Sequence, residues 1–140
     1  MSDIKSVPHE ILYLPQVLAE QLRDLARHAA PLECVGVLAG PGGNRASVVH
    51  PLSNIAEHPT REYIGDPKDL IRVIKSLRAQ GLELTAIYHS HPNGPAEPSR
   101  TDLAQAAWEI PYLIVDAKTG EIRAWHLLEG AREVKLEILE

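Results

Sequence analysis

The chain has 140 residues, of which 44% are hydrophobic and 24% charged, a composition typical of an ordinary globular protein. Its 14 lysine and arginine residues against 19 aspartate and glutamate residues give a net charge of −5, which argues against a nucleic-acid partner. No signal peptide and no run of about 20 apolar residues is visible, and the single cysteine, Cys34, cannot form an internal disulfide. We therefore expect a cytoplasmic protein with no membrane segment, folded as one domain over residues 1–140.

Hydrophobic patterning along the chain predicts seven strands and three helices. Strand-length apolar runs lie at 9–14, 33–39, 45–54, 82–89, 112–117, 121–128 and 132–139. Segments with helical spacing and a starting proline or cap lie at 15–30, 66–80 and 99–109. Residues 63–65 form a candidate short strand, and the apolar stripes that include Val17 and Ile71 are expected to face the sheet. The order β-α-β-β-α-β-α-β-β-β predicts an α/β fold with helices packed on the faces of one mixed sheet.

Two histidines, His89 and His91, stand where the fourth predicted strand ends. Residues i and i+2 of a strand point to the same face, so both imidazoles can converge on one metal ion. Asp102 can supply a third ligand, because it lies about one turn into the helix that Ser99 caps and faces back if the proline-rich loop folds over. Catalytic zinc uses three protein ligands and keeps one position open. The spacing therefore predicts one Zn²⁺ per chain, held by His89, His91 and Asp102.

A zinc hydrolase also needs a base that takes a proton from water and a group that stabilises the developing oxyanion. Glu33 is the candidate base, because an acid at the start of an otherwise apolar strand needs a partner or a function. Ser99 is the candidate for the second role, since it carries a hydroxyl and lies at a helix N-terminus.

Each of these residues also has a simpler interpretation. A His-x-His pair arises by chance in many strands, Ser99 is a helix cap, and Asp102 could act only on its helix dipole. Glu33 could pair with a surface arginine, and Cys34 is expected to pack as a small hydrophobe. The joint occurrence of the four polar features, in a fixed order from strand end through proline loop to capped helix, favours the catalytic interpretation.

The sequence HSHP at 89–92, followed after six residues by SRTD at 99–102, resembles the signature of the JAMM/MPN+ (Mov34/MPN) zinc metalloprotease family in every motif position. Upstream, PLECVGVLAG at 31–40 resembles the strand on which that family carries its glutamate. Asn54 and Tyr63 are also similar to the family's pattern. The resemblance spans essentially the whole chain and implies the mixed sheet of the JAB/MPN architecture, which is similar to that of cytidine deaminase.

The resemblance also implies a reaction. Members of the family hydrolyse the peptide or isopeptide bond after the C-terminal glycine tail of ubiquitin or a ubiquitin-like β-grasp protein. This short chain resembles the stand-alone prokaryotic members, some of which act on sulfur-carrier proteins of the ThiS/MoaD type. A tail of this kind is expected to bind as an added strand in a groove, with Tyr63 as an apolar contact in its wall.

Three other functions compete with this one. A non-catalytic MPN-fold scaffold would have no reason to keep all five of the residues Glu33, His89, His91, Ser99 and Asp102. A zinc deaminase usually carries a Cys-x-x-Cys pair, which a chain with one cysteine lacks. HSHPNG also resembles the RadC branch associated with DNA repair, but PLECVGVLAG does not. The oligomeric state stays open, with a homodimer among the alternatives.

Overall fold

The structure, a computed structural model, describes residues 11–140. Ten elements follow in the predicted order: β1 (Ile11–Pro15), α1 (Gln16–Ala29), β2 (Val35–Gly40), β3 (Val48–Leu52), α2 (Pro67–Ala79), β4 (Glu83–His91), α3 (Arg100–Gln105), β5 (Tyr112–Asp116), β6 (Ile122–His126) and β7 (Arg132–Leu139). The predicted first strand began at His9, but residues 9 and 10 lie outside the described part. No helix within 11–140 has the length and hydropathy that a membrane span requires.

The seven strands form one mixed sheet in the order β1-β7-β6-β5-β4-β2-β3. β1 pairs parallel with β7 and β4 pairs parallel with β5, while the other neighbours are antiparallel. The sheet curls, because β1 also reaches the β2–β3 hairpin: the N–H of Tyr13 donates to Asn44 O at 2.9 Å, and the N–H of Ala46 donates to Tyr13 O at 3.1 Å. This curled mixed sheet with its helices confirms the predicted α/β class.

The two faces of the sheet bury different clusters. On one face α1 packs with Leu18 and Leu22 against Leu38 and Tyr88 of the sheet. On the other face α2 packs near a smaller cluster that contains Ile87 of β4. Successive side chains of a strand point to opposite faces, so β4 contributes residues to both clusters in alternation.

Two predicted stripe residues lie outside these clusters. Val17 is 68% exposed and Ile71 is 57% exposed, so each lies at the solvent edge of its helix rather than against the sheet. Helical spacing identifies an apolar stripe, but which of its edge residues the sheet covers depends on how the helix is rotated in the fold. Pro15 is the last residue of β1 and the N-cap of α1, one position earlier than a first-turn proline.

The third helix and the candidate short strand are both shorter than predicted. α3 ends at Gln105 rather than at 109, because the N–H groups of Ala107 and Trp108 donate to the Tyr112 hydroxyl at 3.1 and 3.2 Å instead of continuing the helix. At 63–65 the structure has a single bridge between Gly65 and Asn54. The end of α3 thus depends on a side chain that lies only four and five residues beyond these N–H groups.

Candidate metal centre

β4 runs two residues beyond its predicted end, so His89 and His91 both belong to the strand. Its pairing with β2 and β5 fixes them: His89 lies opposite Val35, and His91 lies opposite Asp116. The two imidazole Nε2 atoms are 3.2 Å apart, and both rings are buried. Because residues two apart in a strand share a face, β4 brings together two nitrogens that are able to bind one metal ion.

Asp102 completes a compact cluster with these histidines. Its Oδ1 lies 3.1 Å from His89 Nε2 and its Oδ2 lies 3.1 Å from His91 Nε2. The N–H of Ser99 also donates to Oδ2, at 2.9 Å, as part of the capping box that begins α3. Burial alone would raise the pKa of Asp102, but the neighbouring histidines and the N–H of Ser99 outweigh it and hold the pKa well below its usual range. The carboxylate is therefore ionised and fixed in place.

The cluster fits a bound cation. Pro95 O accepts a hydrogen bond from His91 Nδ1 at 2.7 Å, and a carbonyl can only accept, so Nδ1 carries the proton and the Nε2 lone pair of a neutral ring points at Asp102. Two acceptors 3.1 Å apart repel unless a positive charge lies between them. The Nε2 and carboxylate separations of 3.1–3.2 Å match the value of about 3.3 Å that metal bonds of about 2.0–2.1 Å give between tetrahedral ligands. These residues can hold a metal ion.

Glu33 faces the cluster from the segment before β2. Its carboxylate lies with the ligand atoms of His89 and His91 in a group whose members are all within 4.8 Å of one another. The Oε1 atom is buried and has no hydrogen-bond partner among the described residues. Burial raises the pKa of Glu33 to about 7, a change that the nearby His91 opposes and Asp102 reinforces. The carboxyl group can therefore take up and release a proton near neutral pH.

Ser99 lies beside the cluster and caps α3. Its hydroxyl oxygen accepts from the N–H of Asp102 at 3.0 Å, so the capping interpretation of the sequence holds in the structure. A hydroxyl that accepts one bond still has its own hydrogen to donate. Ser99 can therefore cap the helix and donate to a bound group at the same time.

Tyr63 packs directly on the cluster. Its ring stacks on His89 with the centroids 4.2 Å apart and the planes 24° from parallel. Beyond it opens a cavity of about 420 Å³ whose lining is mostly apolar and includes Val35, Ile87 and Trp108. Tyr63 both lines this cavity and stacks on His89, so an apolar cleft lies next to the cluster.

Two further residues hold this arrangement together: Asn54, which the sequence analysis named only as similar to the family's pattern and gave no role, and Pro95, which it did not single out. Asn54 donates from Nδ2 to Glu33 O at 2.9 Å and accepts at Oδ1 from the N–H of Ile64 at 3.1 Å, so it ties the acid to the loop of Tyr63. The carbonyl of Pro95, which orients His91, gives no signal in the sequence because every residue has a carbonyl. For the contacts of Asn54, the signal in the sequence is an asparagine that lies between the two motif segments.

Known proteins of similar length share much of this sequence. Over 129 residues the chain is 43% identical to a probable TtuB-protein conjugate cleaving protease from Thermus thermophilus, with 92% of this chain and 84% of that protein covered. It is 32% identical to a desampylase from Haloferax volcanii over 103 residues, 73% of this chain and 74% of that protein. It is 31% identical to a CysO-cysteine peptidase from Mycobacterium tuberculosis over 128 residues, 86% of this chain and 87% of that protein.

Solved structures share the fold. A protein from Desulfitobacterium hafniense superposes with a TM-score of 0.82 at 28% identity and covers 92% of this chain and 93% of its own. A JAB1/MPN domain protein from Archaeoglobus fulgidus shows the same fold at 18% identity, with a TM-score of 0.62 over 94% of this chain and 98% of its own. Residues 15–128 match the family described as prokaryotic homologs of the JAB domain. The chain belongs to this family.

Proposed function

We propose that the chain is a zinc metallopeptidase that hydrolyses the bond after the C-terminal Gly-Gly of a ubiquitin-like or sulfur-carrier protein. The observation that carries the proposal is the buried cluster of His89, His91 and Asp102, which Glu33 faces and which lies next to an apolar cleft. Family membership supports it, and so do relatives named as a conjugate cleaving protease, a desampylase and a CysO-cysteine peptidase. The proposal does not depend on whether the substrate bond is a peptide or an isopeptide bond.

His89, His91 and Asp102 would hold the zinc. Two imidazole nitrogens and one carboxylate oxygen are a common catalytic ligand set, which leaves a fourth position open. Asp102 is favoured over Glu33 as the third ligand because its oxygens contact both Nε2 atoms and its pKa is low, whereas that of Glu33 is raised. Zinc supplies Lewis acidity and lowers the pKa of a water molecule to about 7.

Glu33 acts as the general base in this proposal. Its unpartnered Oε1 is free to accept a proton from the attacking water, and a pKa of about 7 lets it pass that proton to the leaving amine. Its burial keeps bulk water from competing for the carboxylate. The same group therefore serves both halves of the proton transfer.

Ser99 and Tyr63 act on the substrate. The Ser99 hydroxyl donates its free hydrogen to the oxygen of the scissile carbonyl, where negative charge develops. Tyr63 lines the cleft along which an extended tail approaches, and glycine at the last two positions lets the tail's backbone pass the cluster without a Cβ clash. A bulky residue at the last position would hold the carbonyl away from Ser99.

The test uses a β-grasp protein that ends in Gly-Gly and is fused to a short peptide, with a lysine-linked conjugate of the same protein in parallel. We expect zinc-dependent cleavage after the second glycine that a chelator abolishes and added zinc restores. Replacing that glycine by valine is expected to slow cleavage far more than a substitution on the far surface of the substrate.

Two outcomes would contradict the proposal. Equal rates for the valine and far-surface variants would remove the Gly-Gly assignment. A zinc-loaded chain that binds the fusion protein without cleaving it would instead favour the non-catalytic scaffold.

A further inference from the structure

The loop between His91 and Ser99 is held from outside by β6. The indole N–H of Trp125 donates to Ala96 O at 3.1 Å, and Arg123 Nη1 donates to Glu97 Oε2 at 3.1 Å. Ala96 is fully buried, so its carbonyl depends on this donor. Two consecutive residues of the loop are thus attached to two side chains that share one face of a neighbouring strand.

These two β6 side chains are themselves fixed. Arg123 binds Glu133 of β7 through both Nε and Nη2, at 2.9 and 2.8 Å, the bidentate geometry in which such pairs are strongest. Its guanidinium carbon lies 4.8 Å from the centre of the Trp125 ring. A chain of contacts therefore runs from β7 through β6 to the loop.

The attachment point lies next to a contact with a proposed metal ligand. Pro95 O, which accepts from His91 Nδ1 at 2.7 Å, belongs to the residue directly before Ala96. A shift of the Ala96 carbonyl would turn the adjoining peptide and move the Pro95 carbonyl away from the imidazole. Partners of this kind set the tautomer and the ring orientation of a metal-binding histidine.

We propose that Trp125 and Arg123 are positioning residues of the metal centre: by fixing Ala96 and Glu97 they hold the Pro95 carbonyl against His91. Neither residue contacts the cluster, and no motif of the sequence identifies them. The inference rests on the metal site of the proposed function. Its test measures metal binding rather than cleavage, so the two can fail separately.

The main test is Trp125→Phe, which keeps an aromatic ring beside Arg123 and removes the N–H that Ala96 O accepts, together with the five-membered ring of the indole. Zinc affinity is measured by competition with a chromophoric chelator, and thermal unfolding of the metal-free protein is followed in parallel. We expect the variant to bind zinc about 10- to 100-fold more weakly, the range found when outer partners of metal ligands are removed. A purely structural role would lower the unfolding temperature and leave the affinity of the folded protein unchanged.

Glu97→Ala tests the second arm at an exposed position, where folding is not at risk. Its matched control is Glu137→Ala, which removes another exposed glutamate, paired with Lys135 at 3.1 Å on β7 and distant from the loop. Since exposed pairs contribute little, we expect Glu97→Ala to weaken zinc binding about two- to fivefold and Glu137→Ala to leave it unchanged.

The outcomes separate clearly. Wild-type affinity in folded Trp125→Phe would overturn the inference, and if that variant does not fold, equal affinities for Glu97→Ala and Glu137→Ala would overturn it. A wild-type chain that binds no zinc would overturn the proposed function, and this inference with it.

Discussion

The two faces of the sheet use the same strand for different purposes. On the α1 face, β4 presents Ala86 and Tyr88, which are buried with Leu38 in a continuous apolar cluster. On the opposite face the same strand presents Ile87, then His89 and His91, beside an open cleft of about 420 Å³. The α1 face supplies the rigidity that a metal-binding geometry needs, while the other face keeps space for a substrate. Because successive side chains of β4 point to opposite faces, one set packs in the core and the other set carries the candidate site.

Of the substitutions on the two faces, His91→Ala is expected to have the largest effect on zinc binding and activity. The change removes one of three proposed ligands, so both zinc content and peptidase activity should fall to background. Elemental analysis and a cleavage assay on the same preparation measure the two quantities. His28→Ala, on the exposed side of α1, is the control and should change neither. Full activity in metal-free His91→Ala would contradict the account.

Leu38→Ala should loosen the packing on the α1 face and leave the face that carries the histidines intact. Leu38 is fully buried in the cluster that also contains Leu18 and Leu22 of α1, so the free energy of unfolding is expected to drop by about 2–5 kcal/mol. Zinc affinity and kcat/KM should stay at wild-type values wherever the variant is folded. Denaturant unfolding and chelator competition measure the two properties.

Val37, the neighbour of Leu38 in β2, tests the opposite face of the sheet. Val37→Ala lies on the cleft face and should change KM while costing less stability, because fewer carbon atoms are removed. If Leu38→Ala reduced the free energy of zinc binding as much as the free energy of unfolding, the two faces would not act independently.

Ser99→Ala should produce the smallest change in stability, about 1 kcal/mol, because a helix cap is lost. The backbone N–H that holds Asp102 remains, so zinc should stay bound while turnover falls. Ser99→Thr keeps both the cap and the donor and should retain most of the activity. Thermal unfolding, zinc content and kcat distinguish these outcomes, and unchanged turnover in Ser99→Ala would remove the proposed oxyanion role.

Much of the fold follows from local sequence patterns. Element order, the cap at Asp66 and the strand that ends at the histidines depend on periodicity and on single residues, which a sequence displays directly. The end of α3 does not, since it depends on the Tyr112 hydroxyl accepting from two N–H groups that a longer helix would have used. The exposure of Val17 and Ile71 depends likewise on how each helix is rotated in the fold.

The candidate site, like the fold, has parts that follow from sequence patterns and parts that do not. Strand spacing suffices to place His89 and His91 together, because β4 is regular, whereas Asp102 reaches them only because the loop at 92–98 folds over. The stacking of Tyr63 on His89 requires an irregular loop to fold back, and Asn54 fixes that loop through hydrogen bonds to backbone atoms. Contacts to backbone atoms leave almost no trace in residue identity, which is why spacing alone cannot predict them.

In the proposed site Asp102 binds the metal and Glu33 moves the proton. The most direct measurement compares zinc content and turnover in Glu33→Gln and Asp102→Asn, two isosteric amides that preserve shape and remove charge. We expect Glu33→Gln to retain about one zinc per chain and to lose the factor of about 10²–10⁴ in rate that general-base catalysis contributes. We expect Asp102→Asn to lose its zinc, because a neutral amide is a poor ligand for that ion. Loss of zinc in Glu33→Gln together with full zinc occupancy in Asp102→Asn would contradict this assignment of the two roles.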